Sequence, residues 1–322
     1  MALPPEIDPE RFAVHASATR GFRQAYVRQG EGGVPLLCVH GWPETKRIYW
    51  LVIAQLASAG FEVIVPDLRG FGDSDVAPDG FHDVASHAHD LYALAHDVLG
   101  HERVVLAGGD LGGPVIQDLA LRHPSFVDRM VLFNSPLPYD KERMAGIAGT
   151  RPAREASDYF MRQGLDPDAL AAELATPEQR RRYIATFYTS RFWAHPGTFL
   201  GTDAPGALGG NAVVDFHTEP FADAAKLRAS FGAYESTFDP ARSLEPALLG
   251  RNEHTPALIL YGPSDHVIYP AFDEMAAVVF PRHVGPFRLR DCGHFVPWEA
   301  PQAFVSATVS FCGDLLARSR DG

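Results

Sequence analysis

The first 135 residues alternate between short apolar runs and longer segments that carry apolar residues at helical spacing. The apolar runs predict buried strands at residues 34–40, 61–66, 103–107 and 127–133. The segments between them predict helices at residues 48–59, 84–99 and 115–121. Because both faces of these strands are apolar, we expect a mostly parallel sheet covered by helices on each side. Residues 11–29 predict two antiparallel edge strands ahead of it.

The pattern changes in the middle of the chain. Residues 136–245 have helical or irregular spacing, many aromatic side chains and a Gly-rich loop at 201–210, with no clear buried strand. Alternation then resumes, with strands predicted at 257–261 and 286–289 and helices at 272–280 and 301–318. We therefore predict an α/β core built from residues 1–135 and 246–322, with residues 136–245 inserted as a helical cap over the carboxyl edge of the sheet.

Composition and charge narrow the classes of partner. The chain has 322 residues and a net charge of −12, which disfavours nucleic acids and anionic membrane surfaces. No apolar run is long enough to span a bilayer, and the acidic, Pro-containing start does not resemble a signal peptide. The three cysteines lack metal-ligand spacing and fit a reducing compartment. We expect a cytoplasmic monomer or homodimer without a nucleic-acid or membrane partner.

One carboxylate stands in a Gly-rich turn between a predicted strand and a predicted helix. Residues 108–112, Gly-Gly-Asp-Leu-Gly, have the form of a nucleophile elbow with Asp110 at its centre. Small neighbours are needed there because the turn is tight and its backbone strained. A serine at this place is typical of esterases and lipases, whereas a carboxylate favours attack on saturated carbon, in an epoxide or a carbon–halogen bond. The alternative is an ordinary helix-capping aspartate.

Two further polar residues follow predicted strands. Asp265 lies in a loop after the strand at 257–261, and His294 lies in the loop after the last strand. The chain order Asp110, Asp265, His294 is the order of nucleophile, acid and base expected for an elbow of this type. Asp265 alone could be an ordinary turn residue, and His294 is one of 14 histidines. The conjunction of three loops at one edge favours the catalytic interpretation.

A fourth loop follows the first buried strand and reads His40-Gly41-Trp42-Pro43. The backbone N–H of Trp42 can join that of Leu111 to form an oxyanion hole. We interpret His40, Gly41 and Pro43 as structural residues of the site.

Together these segments resemble the epoxide hydrolases of the α/β-hydrolase fold, the branch that uses an aspartate nucleophile. The resemblance rests on residues 40–43, 67–74, 108–112, 262–265 and 291–294. It spans about residues 20–134 and 250–318 and is weaker in the cap. It implies an α/β-hydrolase fold, a cis bond between Trp42 and Pro43, and a reaction that needs neither a metal ion nor an organic cofactor.

The resemblance also implies a pair of cap tyrosines that hydrogen-bond the epoxide oxygen. Tyr234 matches the position of the later tyrosine, and Tyr159 lies in the region of the earlier one. Tyr183 and Tyr188 are the competing candidates, and packing within the cap is the ordinary alternative for each ring.

The predicted reaction converts a small apolar epoxide and water into a vicinal diol through a covalent ester on Asp110. A dehalogenase on the same fold is the first alternative. It is disfavoured because Leu111 stands where dehalogenases often carry a tryptophan, and because the non-ionisable Asn134 occupies their other acid position. A non-catalytic binding protein is the second alternative, but such a protein has no need to keep a nucleophile, an acid and a base.

Overall fold

A central sheet organises the molecule, whose computed structural model describes residues 5–147, 154–199, 208–209 and 211–321. The sheet has eight strands in the order β1-β2-β4-β3-β5-β6-β7-β8. Their bounds are β1 Val14–Thr19, β2 Phe22–Gln29, β3 Val34–Val39, β4 Phe61–Pro66, β5 Val104–Gly109, β6 Val127–Phe133, β7 Ala257–Tyr261 and β8 His283–Arg288. Strands β3 to β8 are parallel, and β2 is antiparallel to both β1 and β4. The predicted mostly parallel sheet with an antiparallel pair at one edge is confirmed.

Thirteen α-helices flank this sheet or lie above it in the described part of the chain. They are α1 Ile53–Ala59, α2 Val84–Tyr92, α3 Gly112–Arg122, α4 Arg154–Leu165, α5 Pro167–Glu173, α6 Pro177–Tyr188, α7 Ala212–Thr218, α8 Ala224–Ala229, α9 Gly232–Phe238, α10 Phe272–Val279, α11 Val296–Glu299, α12 Pro301–Phe311 and α13 Gly313–Asp321. Helices α2 and α3 pack together beside β5, and α1 packs against both β4 and α12. Every residue of β4 and β5 is buried, in agreement with their mainly apolar sequences, and the one charged residue of β4, Glu62, is paired with Arg28.

Helices α4 to α9 all lie between β6 and β7 along the chain. No strand occurs among the described residues of this segment, in agreement with its sequence pattern. Most of the Gly-rich loop predicted at 201–210 lies outside the described residues. None of the helices that the structure describes is both long and apolar enough to cross a membrane.

Three predicted elements differ from the structure. The helix expected at 48–59 is a short 3-10 turn, Lys46–Tyr49, followed by α1. The last helix is divided into α12 and α13 where Gly313 interrupts it, because glycine weakens a helix interior. The strand predicted at 286–289 begins three residues earlier as β8, although it contains Gly285 and Pro286. Both residues are disfavoured inside a sheet, and β8 tolerates them because it is an edge strand.

Candidate active site

Asp110 lies in a sharp turn between β5 and α3, where its backbone φ is +43°. Non-glycine residues seldom adopt this conformation, and the surrounding structure must hold it in place. The Asp110 N–H donates to the carbonyl oxygen of Asn134 at 2.9 Å, and the Asp110 carbonyl accepts from the Gly113 N–H at 3.0 Å. A Cβ atom at Gly41 would lie 2.4 Å from the Cβ of Asp110, so only glycine allows this close approach.

The carboxylate of Asp110 points towards two of the predicted partners. Its Oδ1 atom accepts a hydrogen bond of 2.6 Å from the backbone N–H of Trp42, and its Oδ2 atom lies 3.4 Å from His294 Nε2. Leu111 follows directly at the start of α3. The Trp42–Pro43 peptide bond is cis, as the resemblance implied. One carboxylate oxygen is thus held by a backbone donor, while the other faces the imidazole.

The imidazole of His294 contacts the carboxylate of Asp265, in the arrangement of a base with the acid that orients it. His294 Nδ1 lies 2.8 Å from Asp265 Oδ2, and both side chains are almost fully buried. The other oxygen of Asp265 accepts the Val267 N–H at 2.7 Å, which fixes the carboxylate in its loop. No group among the described residues forms a hydrogen bond with His294 Nε2. That nitrogen instead lies 3.4 Å from Asp110 Oδ2, in an ion-pair contact without hydrogen-bond geometry.

The charge of this arrangement favours a protonated imidazole. Burial by itself lowers the pKa of His294, but the carboxylates of Asp265 and Asp110 outweigh burial and hold this pKa well above its ordinary value. His294 and Asp110 therefore form an ion pair while both carboxylates are ionised. Any chemistry that removes the charge of Asp110 will lower the pKa of His294.

Asn134 connects the loops that carry all three residues, a role that its sequence position did not reveal. It follows β6 with a φ of +33°, a conformation that asparagine tolerates better than most residues. Its Nδ2 lies 2.9 Å from Asp265 Oδ2, 3.1 Å from the Gly262 carbonyl and 3.0 Å from the Gly293 carbonyl. Its Oδ1 accepts the Gly262 N–H at 2.8 Å. Since its backbone carbonyl also binds the Asp110 N–H, one buried residue joins the nucleophile, acid and base loops.

Glu44 is a second residue that the sequence did not single out. Its Oε2 accepts a 2.6 Å hydrogen bond from the Gly41 N–H, and the side chain is only 3% exposed. Burial raises the pKa of Glu44 from its ordinary 4.5 to about 7, although the charge of His294 and the Gly41 hydrogen bond oppose the shift. Glu44 therefore changes charge near neutral pH, next to the turn that carries Trp42.

Glu44→Gln is expected to flatten the dependence of stability on pH. The folded chain retains a proton that the unfolded chain releases between pH 4.5 and about 7. The stabilisation from this proton is complete below pH 4.5 and is lost as the pH rises through about 7. Glutamine removes a change of about 3 kcal/mol while keeping an acceptor for Gly41. Urea unfolding below and above this window measures the difference, with the exposed Glu274→Gln as control. Parallel curves for wild type and Glu44→Gln would contradict the assignment.

The cap places Tyr159 and Tyr234 together beside Trp42. The Trp42 indole stacks on Tyr159 with ring centroids 5.3 Å apart and meets Tyr234 edge-on at 5.7 Å. The two tyrosine rings also meet each other edge-on, with centroids 5.7 Å apart. Burial, with the charge of Asp110 nearby, raises the pKa of both hydroxyls well above the ordinary value. Both hydroxyls are therefore protonated at neutral pH and can donate.

The competing tyrosines are engaged elsewhere. The Tyr188 hydroxyl donates to the carbonyl of Pro43 at 2.8 Å, and its ring stacks on Phe295. The Tyr183 hydroxyl accepts from Gln163 Nε2 at 2.9 Å, and its ring lies 6.4 Å from that of Trp42. The geometry therefore favours Tyr159 and Tyr234, whose rings lie nearer than that of Tyr183 to Trp42, the residue that holds the Asp110 carboxylate.

Two more aromatic rings of the cap lie above the site. Phe187 meets the Trp42 indole edge-on with centroids 4.7 Å apart, and Trp193 lies 4.6 Å from the imidazole of His294. Trp42 itself is fixed from the cap, because its Nε1–H donates to Ser230 Oγ at 3.1 Å. Aromatic rings of the cap thus pack on Trp42 and His294, the two residues that contact the Asp110 carboxylate.

His40 has a structural role in the loop after β3. Its Nδ1 lies 2.8 Å from the Gly41 carbonyl, and its Nε2 accepts the backbone N–H of Leu68 at 3.0 Å. Burial lowers the pKa of His40, so the ring is neutral and can accept this bond.

Among the described residues, no group of three His, Cys, Asp or Glu side chains is placed to hold a metal ion.

Comparisons with known proteins identify the fold family of the chain. A family model described as alpha/beta hydrolase fold matches residues 34–301. The chain is 28% identical over 304 residues to the soluble epoxide hydrolase of a Corynebacterium species, covering 94% of this chain and 97% of that protein. It is 27% identical over 325 residues to epoxide hydrolase A of Mycobacterium tuberculosis, covering 93% of this chain and 97% of the relative.

A solved structure named epoxide hydrolase CorEH without ligand has the same fold. It superimposes with a TM-score of 0.76 at 24% identity, over 94% of this chain and 99% of that one.

Proposed function

The chain belongs to the alpha/beta hydrolase fold family, and we propose that it is an epoxide hydrolase that opens an epoxide to a vicinal diol. One observation carries the proposal: the backbone N–H of Trp42 holds the elbow carboxylate of Asp110, and the cap tyrosines Tyr159 and Tyr234 pack against the indole of the same Trp42. Opening an epoxide needs a nucleophile for carbon and a proton donor for oxygen on the same substrate. The names of the relatives support the same activity.

The first proposed step is attack on an epoxide carbon by Asp110. Because Oδ1 is held by the Trp42 N–H, Oδ2 is the oxygen free to form the new bond to carbon. The carbon–oxygen bond of the epoxide breaks, and the Tyr234–Tyr159 pair donates a proton to the departing oxygen. A hydroxyalkyl ester on Asp110 results, with Oδ1 as its carbonyl oxygen at the Trp42 N–H and with the Leu111 N–H as the proposed second donor.

The second proposed step is hydrolysis of that ester. Ester formation removes the negative charge of Asp110, so the pKa of His294 falls. His294 then releases its proton, which by way of water restores the deprotonated tyrosine, and the neutral Nε2 can accept a proton from the attacking water. The water oxygen attacks the ester carbon, and negative charge develops on Oδ1, where the Trp42 and Leu111 N–H groups stabilise it. The diol leaves with the original Oδ2 atom. Asp265 keeps the imidazole oriented throughout.

We propose small apolar epoxides as substrates, because aromatic rings of the cap pack on Trp42 and His294, the two residues in contact with the Asp110 carboxylate. All three cysteines are free and buried, which supports the reducing cytoplasm as the compartment. Whether the protein works as a monomer or a homodimer stays a prediction from the sequence.

The experiment that tests this function offers styrene oxide and a set of chloro- and bromoalkanes, and measures diol and halide. We expect diol from the epoxide without appreciable halide from the alkanes. In this chain Asn134 binds Asp265 instead of supplying a second acid. Halide release without diol would replace the proposal by dehalogenation, and tight binding without either product would favour a binding protein.

Tyr234→Phe is expected to slow ring opening by about 10²-fold and to leave ester hydrolysis unchanged. The substitution keeps the aromatic packing on Trp42 and removes only one proton donor. Rapid-quench single-turnover measurements separate the two steps. Tyr183→Phe is the matched control, since its hydroxyl binds Gln163. Ring opening at the wild-type rate in Tyr234→Phe would remove this tyrosine from the mechanism.

A further inference from the structure

We infer that Glu299 is a positioning residue, which holds the His294 loop in register with Asp110 and attaches one segment of the cap to that loop. The inference rests on the proposed function, because its main consequence concerns hydrolysis of the ester. Glu299 does not touch the reacting atoms and acts through the backbone on either side of His294.

The carboxylate of Glu299, at the end of α11, accepts hydrogen bonds from the backbone on either side of His294. Its Oε2 accepts the backbone N–H of Gly293 at 3.0 Å, and its Oε1 accepts the backbone N–H of Phe295 at 2.9 Å. These are the residues immediately before and after His294. A single side chain therefore fixes the backbone from which the imidazole projects.

The same carboxylate also binds the cap. Its Oε2 accepts the N–H of His195 at 2.7 Å and the hydroxyl of Thr198 at 3.2 Å. Both donors belong to residues 192–198, the segment after α6 that we call the cap clasp. Four donors thus converge on one carboxylate, two from the base loop and two from the cap clasp.

The cap clasp contacts the catalytic loops directly as well. The His294 N–H donates to the Trp193 carbonyl at 2.7 Å, and the His266 N–H donates to the Phe192 carbonyl at 2.8 Å. A Cβ atom at Gly293 would lie 2.4 Å from that Trp193 oxygen, so the two backbones approach as closely as glycine allows. The base loop, the acid loop and the cap clasp therefore behave as one hydrogen-bonded unit with Glu299 at its centre.

A carboxylate suits this place because it has acceptors only. In glutamine one of the two oxygens is replaced by an NH₂ group, which cannot accept a hydrogen bond. The backbone N–H of either Gly293 or Phe295 then loses its acceptor and must move away. His294 would shift with its backbone, relative to Asp265 at 2.8 Å and Asp110 at 3.4 Å. A misplacement of about 1 Å costs about 10²-fold in rate. Attack of Asp110 on the epoxide depends on Trp42 and the tyrosines, and is affected much less.

The test compares Glu299→Gln with wild type on an epoxide that the wild type converts. Mass spectrometry of the Asp110 peptide in single turnovers follows formation and loss of the ester. We expect ester formation within about 3-fold of wild type and ester hydrolysis about 10²-fold slower. Glu299→Asp keeps the carboxylate on a shorter side chain and should recover part of the loss. The exposed Glu274→Gln controls for the change of charge.

Equal slowing of both steps, or hydrolysis at the wild-type rate, would overturn the inference. Failure of the wild type to form any diol would instead count against the proposed function. A proton NMR measurement without substrate separates the two cases, using the hydrogen-bonded Nδ1 proton between His294 and Asp265, assigned by its loss in His294→Gln. We expect this resonance to shift in Glu299→Gln and to stay in place in Glu274→Gln. An unchanged resonance in Glu299→Gln would overturn the inference whatever the substrate.

Discussion

Asp110→Ala is expected to abolish diol formation, with a loss of about 10⁴-fold or more in kcat/KM. Alanine removes the only group that can form the covalent ester, while the Trp42 N–H and the tyrosine pair remain. The substitution also removes the negative charge that stabilises the N-terminus of α3 through the helix dipole. We therefore expect a small decrease in melting temperature. Product assays with thermal unfolding of the same samples distinguish lost chemistry from lost fold. Asp97→Ala, at an exposed position far from the elbow, is the control.

The ester mechanism can be followed at Asp110 itself. In a single turnover in water enriched in heavy oxygen, the label is expected in the Asp110 carboxylate, because the diol leaves with the original Oδ2 atom. Digestion and mass spectrometry of the peptide that contains Asp110 locate the label. Heavy oxygen in the diol of the first turnover would mean that water attacks the epoxide directly. Asp110 would then be a base or an electrostatic partner, and the proposed ester would be wrong.

His294→Gln has the second largest expected effect and acts on the other step. Ester hydrolysis should slow by about 10³- to 10⁴-fold, because no other group replaces Nε2 as the base. Ester formation should continue, since the contact between Trp42 and Asp110 does not involve the imidazole. The intact protein is therefore expected to gain the mass of one substrate molecule and to keep it.

The exposed His254→Gln is the matched control for this measurement and should show no lasting gain in mass. Return of His294→Gln to its original mass at the wild-type rate would exclude His294 as the base. A variant that never gains mass would show that His294 is needed for the first step, in contrast to the proposed order.

The sequence allowed the main residues of the site to be located because parallel strands end at the same edge of a sheet. Asp110, Asp265 and His294 each follow such a strand, so their meeting depends on topology alone. The two cap tyrosines were harder to choose, since the resemblance is weaker in the cap and Tyr183 and Tyr188 lie there as well. Their places depend on which rings pack against Trp42, and that packing is a tertiary property.

Asn134, Glu44 and Glu299 were not recognised from the sequence because their roles come from hydrogen bonds to backbone groups. An amide or carboxylate that binds distant N–H and carbonyl groups leaves no periodic pattern in the chain. The irregular strand β8 was misplaced for a related reason. Its Gly285 and Pro286 are typical of turns, and only its position at the edge of the sheet makes them acceptable.

The hydrogen bonds of Asn134 have a consequence for redesign of this protein. Because one side chain serves the acid loop and the base loop while its backbone anchors the nucleophile, substitutions in these loops are energetically coupled and their effects will not add. The aromatic rings of the cap are coupled through packing instead, because Phe187 and Trp193 both contact Trp42 and each other. Libraries that alter substrate choice should therefore vary Phe187 and Trp193 together, and vary the loops around Asn134 only in combination.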